Sequence, residues 1–106
     1  MPWLLLVVAG LLEIVWAYSM KLSHGFTRPG PAAVTLVAML ASFALLAAAM
    51  RSIPLGTAYT VWTGIGAAGA LVLGIVALGE AATPMRLLAA GLIVAGIVLM
   101  KLSSPS

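Results

Sequence analysis

The chain contains no cysteine, one histidine and only two acidic residues, Glu13 and Glu80, among 106 residues. Without cysteine there is no disulfide framework, no thiolate metal site and no thiol nucleophile, and one histidine cannot form a metal cluster alone. Charged residues make up 7% of the chain, whereas soluble domains carry about a quarter. With 64% hydrophobic residues, the chain has too few polar groups to cover a water-facing surface. It is therefore predicted to be an integral membrane protein.

The net charge of +3 does not indicate a nucleic-acid-binding protein. The basic residues occur singly along the chain and form no stripe that could follow a phosphate backbone; they are Lys21, Arg28, Arg51, Arg86 and Lys101. No combination of side chains supports covalent catalysis. The sequence therefore predicts a protein that is not an enzyme, with no metal site and no cofactor.

Charged residues and prolines divide the chain into four apolar segments, predicted as helices at residues 2–20, 32–50, 55–78 and 85–100. Each is near the roughly 17–25 residues that cross about 30 Å of hydrocarbon as a helix. A helix is expected because lipid offers no partners to free backbone groups. The first segment lacks a basic region before it and is long for a signal peptide, so it is interpreted as a retained span. Residues 1–106 are thus predicted to form one all-α domain, multi-pass in the inner (plasma) membrane.

The basic residues are almost evenly divided between the two sides of the membrane. Lys21, Arg28 and Arg86 fall on one side, and Arg51 and Lys101 fall on the other with the N-terminus. An excess of Lys and Arg normally fixes orientation. One interpretation is insertion in both orientations and pairing as an antiparallel homodimer; the other is a weak but definite orientation, or one fixed by a partner. Four short-looped helices can hardly enclose a polar cavity alone, which favours a second copy.

Glu13 is the only charged side chain within the first apolar segment. A carboxylate at membrane depth costs several kcal/mol unless it is paired, protonated or hydrated, about 3 kcal/mol by the lowest scales. We interpret it as a shared binding site for protons and a small organic cation; the alternative is a carboxylate satisfied by a structural hydrogen bond. Gly10 and Trp16 lie on the same helix face. Gly10 would leave room for the carboxylate, and Trp16 offers an aromatic face for cation–π contact or, alternatively, a packing surface.

Polar and aromatic side chains in the second and third segments are further candidates for the site. Tyr59, Trp62 and Thr63 share one helix face, and the first two carry hydrogen-bond donors that could orient the carboxylate. Their alternative interpretation is an interfacial aromatic belt. Ser42 lies at mid-span, where a hydroxyl often bonds to its own helix backbone, so it matters only if it is a partner of Glu13.

The remaining features are assigned to packing or to the interface. Gly66, Ala70 and Gly74 form a ladder of small residues that permits close helix approach. The fourth segment has no polar residue at depth and is assigned to dimer contact. Side chains at span ends and in loops are interpreted as solvated charges; they are His24, Arg28, Arg51, Glu80 and Arg86. No role is predicted for His24 or Lys101.

Taken together, these segments resemble the small multidrug resistance transporters. The resemblance covers nearly the whole chain, and three stretches carry it. The first is Glu13 with the four residues after it, the second is Lys21-x-Ser-x-Gly-Phe-Thr-Arg28, and the third is Pro54-Leu-Gly-Thr-Ala-Tyr-x-Val-Trp-Thr-Gly-x-Gly66. Residues 91–98 look like that family's dimerisation helix. Trp16, Ser42 and the run 56–59 are similar to its guanidinium-exporting subtype.

The resemblance implies an antiparallel, dual-topology homodimer that exchanges protons for guanidinium. Glu13 would then bind both proton and substrate, and the lining residues would be Gly10, Trp16, Ser42, Tyr59, Trp62 and Thr63. Substrate range stays open, because Tyr18 and Thr60 are bulkier or more polar than expected. The first alternative is a proton-coupled exporter of quaternary ammonium and other lipophilic cations. Two further alternatives are a structural or assembly membrane protein without transport and a passive channel. The partner in the dimer could also be a paralogue instead of a second copy.

Overall fold

The computed structural model describes residues 2–103, which contain four α-helices. They are α1 (Pro2–Leu22), α2 (Pro29–Ala49), α3 (Leu55–Ala77) and α4 (Pro84–Leu102). All four are long and apolar enough to cross a membrane. The expectation of an all-α protein with four spans is thereby confirmed.

Two helices begin at prolines that the sequence suggested would precede them. α2 begins at Pro29 rather than near residue 32, and α4 begins at Pro84. Proline is tolerated in the first turn because the N–H that it lacks would have no partner there. At α4, the Thr83 hydroxyl oxygen accepts a hydrogen bond from the backbone N–H of Arg86 at 3.2 Å, which caps the helix.

The connection between α1 and α2 is a tight turn built around Ser23, which is fully buried. Its hydroxyl donates to the carbonyl of Met20 at 2.7 Å and accepts from the N–H of Phe26 at 3.0 Å. His24 and Phe26 adopt positive φ angles of 49° and 68°, and Gly25 adopts 73°. The turn therefore holds α1 and α2 side by side while its other side chains remain exposed.

α1 lies at the centre of the fold, packed against α2 on one side and α3 on the other. Glycines allow α1 and α3 to approach closely. A Cβ at Gly10 of α1 would lie 2.6 Å from Ile65 of α3, and the space beside Gly69 of α3 is taken by Ile14 of α1. Each isoleucine thus fills the space beside a glycine on the other helix. This interlocking fixes the register of α1 against α3.

α4 is the least buried helix. None of its residues is buried, and in residues 2–103 its backbone comes close to α3 alone. At the end of α4, the Lys101 ammonium lies 4.9 Å from the centre of the Trp3 ring. The Cα atoms extend over 43 × 34 × 16 Å. Because neighbouring helix axes lie about 8–10 Å apart, the bundle is about two helices thick and leaves much apolar surface uncovered.

Candidate functional site

Glu13 lies midway along α1 and points at α3. Its side chain occupies the space beside Gly66, where an added Cβ would collide with the carboxylate. Gly66 is itself buried. The carboxylate is thus held in a slot of the helix interface, because only glycine leaves room for it there.

Two polar atoms at this site have no protein partner. Among residues 2–103, Glu13 Oε1 and Trp16 Nε1 are buried side-chain atoms without a hydrogen bond. A buried acceptor left unsatisfied costs about 1–3 kcal/mol, and more when it is charged. The Glu13 oxygen can accept from a ligand that carries N–H groups or can take up a proton, whereas the indole N–H of Trp16 is a donor and needs an acceptor. No three His, Asp or Glu side chains in the described range come together to hold a metal.

Ser42 joins three helices close to Glu13. Its fully buried hydroxyl donates to the carbonyl of Ala9 in α1 at 2.7 Å and accepts from the indole N–H of Trp62 in α3 at 3.0 Å. In an α-helix the carbonyl of residue 9 also accepts from the N–H of residue 13. Ser42 therefore anchors the turn of α1 that carries Glu13. The hydrogen bond is to the backbone of α1 rather than to the Glu13 carboxylate, so Ser42 acts on the carboxylate through its position.

A chain of aromatic rings crosses the same three helices. Ring centres are separated by 6.3 Å between Trp16 and Phe43, by 5.7 Å between Phe43 and Trp62, and by 5.7 Å between Trp62 and Tyr59. The first contact is edge-to-face, an arrangement that aromatic pairs favour. These rings form an aromatic wall that links α1, α2 and α3.

The other predicted lining residues, Gly10, Tyr59 and Thr63, do not contact the Glu13 carboxylate directly in the contacts described. Gly10 is buried, but the side chain beside it is that of Ile65 rather than the Glu13 carboxylate. Tyr59 and Thr63 are exposed and line an apolar groove of about 560 Å³ between α3 and α4. Of these two, Tyr59 also contacts the aromatic wall through Trp62. Thr63 lines the groove but is not part of the aromatic wall.

Two contributions were not assigned to the site from the sequence. Gly66 was interpreted as part of a helix-packing ladder, yet its missing side chain also accommodates Glu13. Phe43 was not a candidate from the sequence, yet it connects Trp16 to Trp62. The sequence carried a signal for Gly66, because a glycine in a membrane-spanning helix can make room for a side chain of a neighbouring helix, such as a buried carboxylate, as well as for the helix backbone. It carried none for Phe43.

The sequence model of the Small Multidrug Resistance protein family matches residues 1–93. This chain belongs to the small multidrug resistance family. Its four long apolar helices fit that family, and together they make it a multi-pass protein of the inner membrane.

Family members of known name are similar over nearly their whole length. The guanidinium exporter of Citrobacter freundii is 59% identical over 104 residues, which cover 98% of this chain and 99% of that protein. The guanidinium exporter of Escherichia coli (strain K12) is 60% identical, with the same coverage. The guanidinium exporter of Salmonella typhimurium is 59% identical. These relatives are named as exporters, which are transporters.

Proposed function

We propose that this small multidrug resistance protein exports guanidinium in exchange for protons, with Glu13 as the group that binds both. The observation that carries the proposal is the buried Glu13 oxygen without a protein partner, held in the slot beside Gly66. Full-length similarity to proteins named guanidinium exporters supports the choice of substrate.

Exchange follows from competition for one carboxylate. When protonated, Glu13 is neutral and tolerable in a medium of low dielectric; when ionised, it needs a cation. Guanidinium is planar, and its forked N–H donors match a carboxylate in two parallel hydrogen bonds. A proton arriving from one side displaces the ion, and an ion arriving from the other side displaces the proton. The two ligands are therefore exchanged rather than carried together.

A second copy of the chain completes the site in this proposal. The chain alone is about two helices thick and α4 has no buried residue. An antiparallel homodimer would cover α4 and bring two Glu13 carboxylates to one cavity. Trp16, Ser42, Tyr59 and Trp62 would surround that cavity, with Gly10 and Thr63 as neighbours in the first and third helices. The site would then open to each side in turn as the helices rock.

The first test replaces Glu13 by glutamine, which keeps the shape but cannot ionise. We expect Glu13→Gln to abolish guanidinium-driven currents from reconstituted protein on a solid-supported membrane, while the assembly state in detergent is unchanged. Lowering the pH on the side where guanidinium is added should reduce the wild-type current, because protons then occupy the carboxylate. Efflux at the wild-type rate by Glu13→Gln would refute the mechanism.

The same recordings distinguish a guanidinium exporter from the main alternative, an exporter of quaternary ammonium ions. A quaternary-ammonium exporter would respond to tetraethylammonium as strongly as to guanidinium or methylguanidinium. The buried acceptor of Glu13 favours a ligand with N–H groups, since a quaternary ammonium ion has no N–H to donate. We therefore expect guanidinium and methylguanidinium to give the larger currents.

A further inference from the structure

Glu80, the second acidic residue, is held in the same manner as Glu13. After α3 ends at Ala77, Gly79 takes a φ of 73° and turns the chain back. The N–H of Glu80 then donates to the carbonyl of Gly74 at 2.9 Å. A Cβ at Gly74 would lie 2.6 Å from the Glu80 carboxyl carbon. The Glu80 carboxylate therefore lies on the surface of α3 at a glycine.

The two carboxylates mark the two ends of one stripe on α3. Glu13 lies against Gly66, and Glu80 lies against Gly74. These glycines are eight residues apart, which is about 12 Å along a helix and a little over two turns, so they share a face. Ala70 lies between them. Leu73 lines the same face beside Gly74.

A cavity of about 200 Å³ lies along this stripe, between α1 and α3. Ala17 and Lys21 of α1 line it, one and two turns beyond Glu13, together with Tyr18 and with Glu80 at its end. The side chain of Glu80 is 44% exposed, so the cavity opens at the surface of the protein. Its lining reaches Ala17, one turn of α1 beyond Glu13.

A guanidinium group already occupies the Glu80 carboxylate. Arg86 Nη2 donates to Glu80 Oε1 at 2.9 Å. The end of an arginine side chain is chemically a substituted guanidinium, so this intramolecular contact is the kind of pairing that a free guanidinium ion would make with the carboxylate. A carboxylate at the C-terminal end of a helix is disfavoured by the helix dipole and gains from a cation beside it. Because both partners are well exposed, their pairing is weak and a free ion can compete with it.

We propose that Glu80 is a second guanidinium-binding site, in the α1–α3 cavity that lies one to two turns of α1 beyond Glu13, and that Arg86 is its tethered competitor. The inference rests on the proposed function, because it takes guanidinium as the transported ion. Arg86 holds the site when the ion is scarce and yields it when the ion is abundant. Lys21 lines the same cavity and weakens binding further. Weak binding suits a site of passage, since an ion must be able to leave it.

Transport kinetics test this assignment through the direction of two changes. Glu80→Gln should raise the half-saturating guanidinium concentration about twofold to fivefold, as expected for the loss of one exposed charge pair. Arg86→Gln should lower it by a similar factor, because the competitor is gone. The double variant should behave as Glu80→Gln does. Arg51→Gln, an exposed arginine at the opposite end of the bundle, controls for loss of one positive charge.

A purely structural ion pair would give a different result. If the Glu80–Arg86 contact only holds the connection between α3 and α4, either substitution breaks it and both shift the half-saturating concentration in the same direction. Equal shifts, or no shift in either variant, would overturn the proposal. Opposite shifts, with Arg51→Gln close to wild type, would support it.

Direct binding can be measured without transport, since the chain has only two acidic residues. In Glu13→Gln protein with ¹³C-labelled glutamate carboxyl groups, Glu80 gives the only such NMR signal. Guanidinium chloride should shift this signal saturably, whereas tetraethylammonium chloride at equal ionic strength should not. Identical responses to both salts would sink the inference. Because Glu13 is absent here, this outcome is independent of whether wild-type protein exports guanidinium.

Discussion

The carboxylate of Glu13 can occupy its place only because residue 66 has no side chain. We expect Gly66→Ala to displace the carboxylate and to reduce guanidinium transport by at least tenfold, the loss for about 1.4 kcal/mol of misplaced binding. Initial rates from reconstituted protein measure this. Gly30→Ala, in the first turn of α2 where nothing lies within 4 Å, is the matched control. Equal rates for the two variants would show that the slot is not required.

Ser42 contributes to the site through the backbone it anchors. Replacing it by alanine leaves the buried indole N–H of Trp62 without an acceptor, at a cost of about 1–3 kcal/mol. We expect Ser42→Ala to lower the thermal unfolding temperature in detergent and to weaken guanidinium binding. Ser103→Ala removes an exposed hydroxyl that bonds to Met100 and should leave both unchanged. An unfolding temperature equal to that of wild type would contradict this role.

At the scale of single residues, the sequence identified the chemistry of the site better than its neighbours. Glu13 stood out because a charge in an apolar segment is costly. Its contact with Gly66 could not be predicted. Helix periodicity shows which residues share a face of one helix, but it does not show which residue of another helix lies opposite them. The sequence analysis therefore predicted that Gly10 makes room for the carboxylate, whereas Gly66 does so. It considered Ser42 as a partner of the Glu13 carboxylate, whereas Ser42 donates to the carbonyl of Ala9. Both depend on the register between helices.

At the scale of elements, α4 is the helix that a second copy of the chain would cover in the proposed homodimer. Between Arg86 and Lys101 its side chains are apolar, and none of its residues is buried. A helix face of this kind in a membrane associates through small residues that allow close approach. Gly91 is exposed with nothing within 4 Å. We expect Gly91→Leu to shift the protein from dimer to monomer, measured by energy transfer between labelled copies in liposomes. Val37→Leu, on the exposed face of α2, should not. Unchanged energy transfer would argue against α4 as the interface.

The composition of the chain predicts that four helices exist, but it does not predict the residues at which they begin and end. A run of apolar residues in lipid has no stable alternative to a helix. The prolines at positions 29 and 84 were expected to precede helices, yet both lie in first turns. Proline excludes a helix interior but is compatible with its start. A proline therefore locates a helix start only to within a few residues.

At the scale of the whole molecule, orientation depends on very few charges. Three basic residues lie on one side and two on the other, so one added lysine changes the balance. We expect Gly30→Lys, which makes the count four against two, and the triple variant Arg28→Gln, Ser52→Lys, Ser103→Lys, which makes it two against four, to impose opposite orientations, as reported by C-terminal topology fusions. Each variant alone should lose export, and co-expression should restore it, if the two copies must be antiparallel. Full export by either variant alone would contradict this arrangement.

The unpartnered oxygen of Glu13 has a practical consequence at the bench. Guanidinium chloride is a common denaturant, but for this fold the same cation would also be a ligand of the native state. A ligand that binds only the native state stabilises it as its concentration rises. Chemical unfolding curves in guanidinium chloride would then overstate the stability of this protein relative to those in urea, and the difference between them would measure occupancy of the carboxylate.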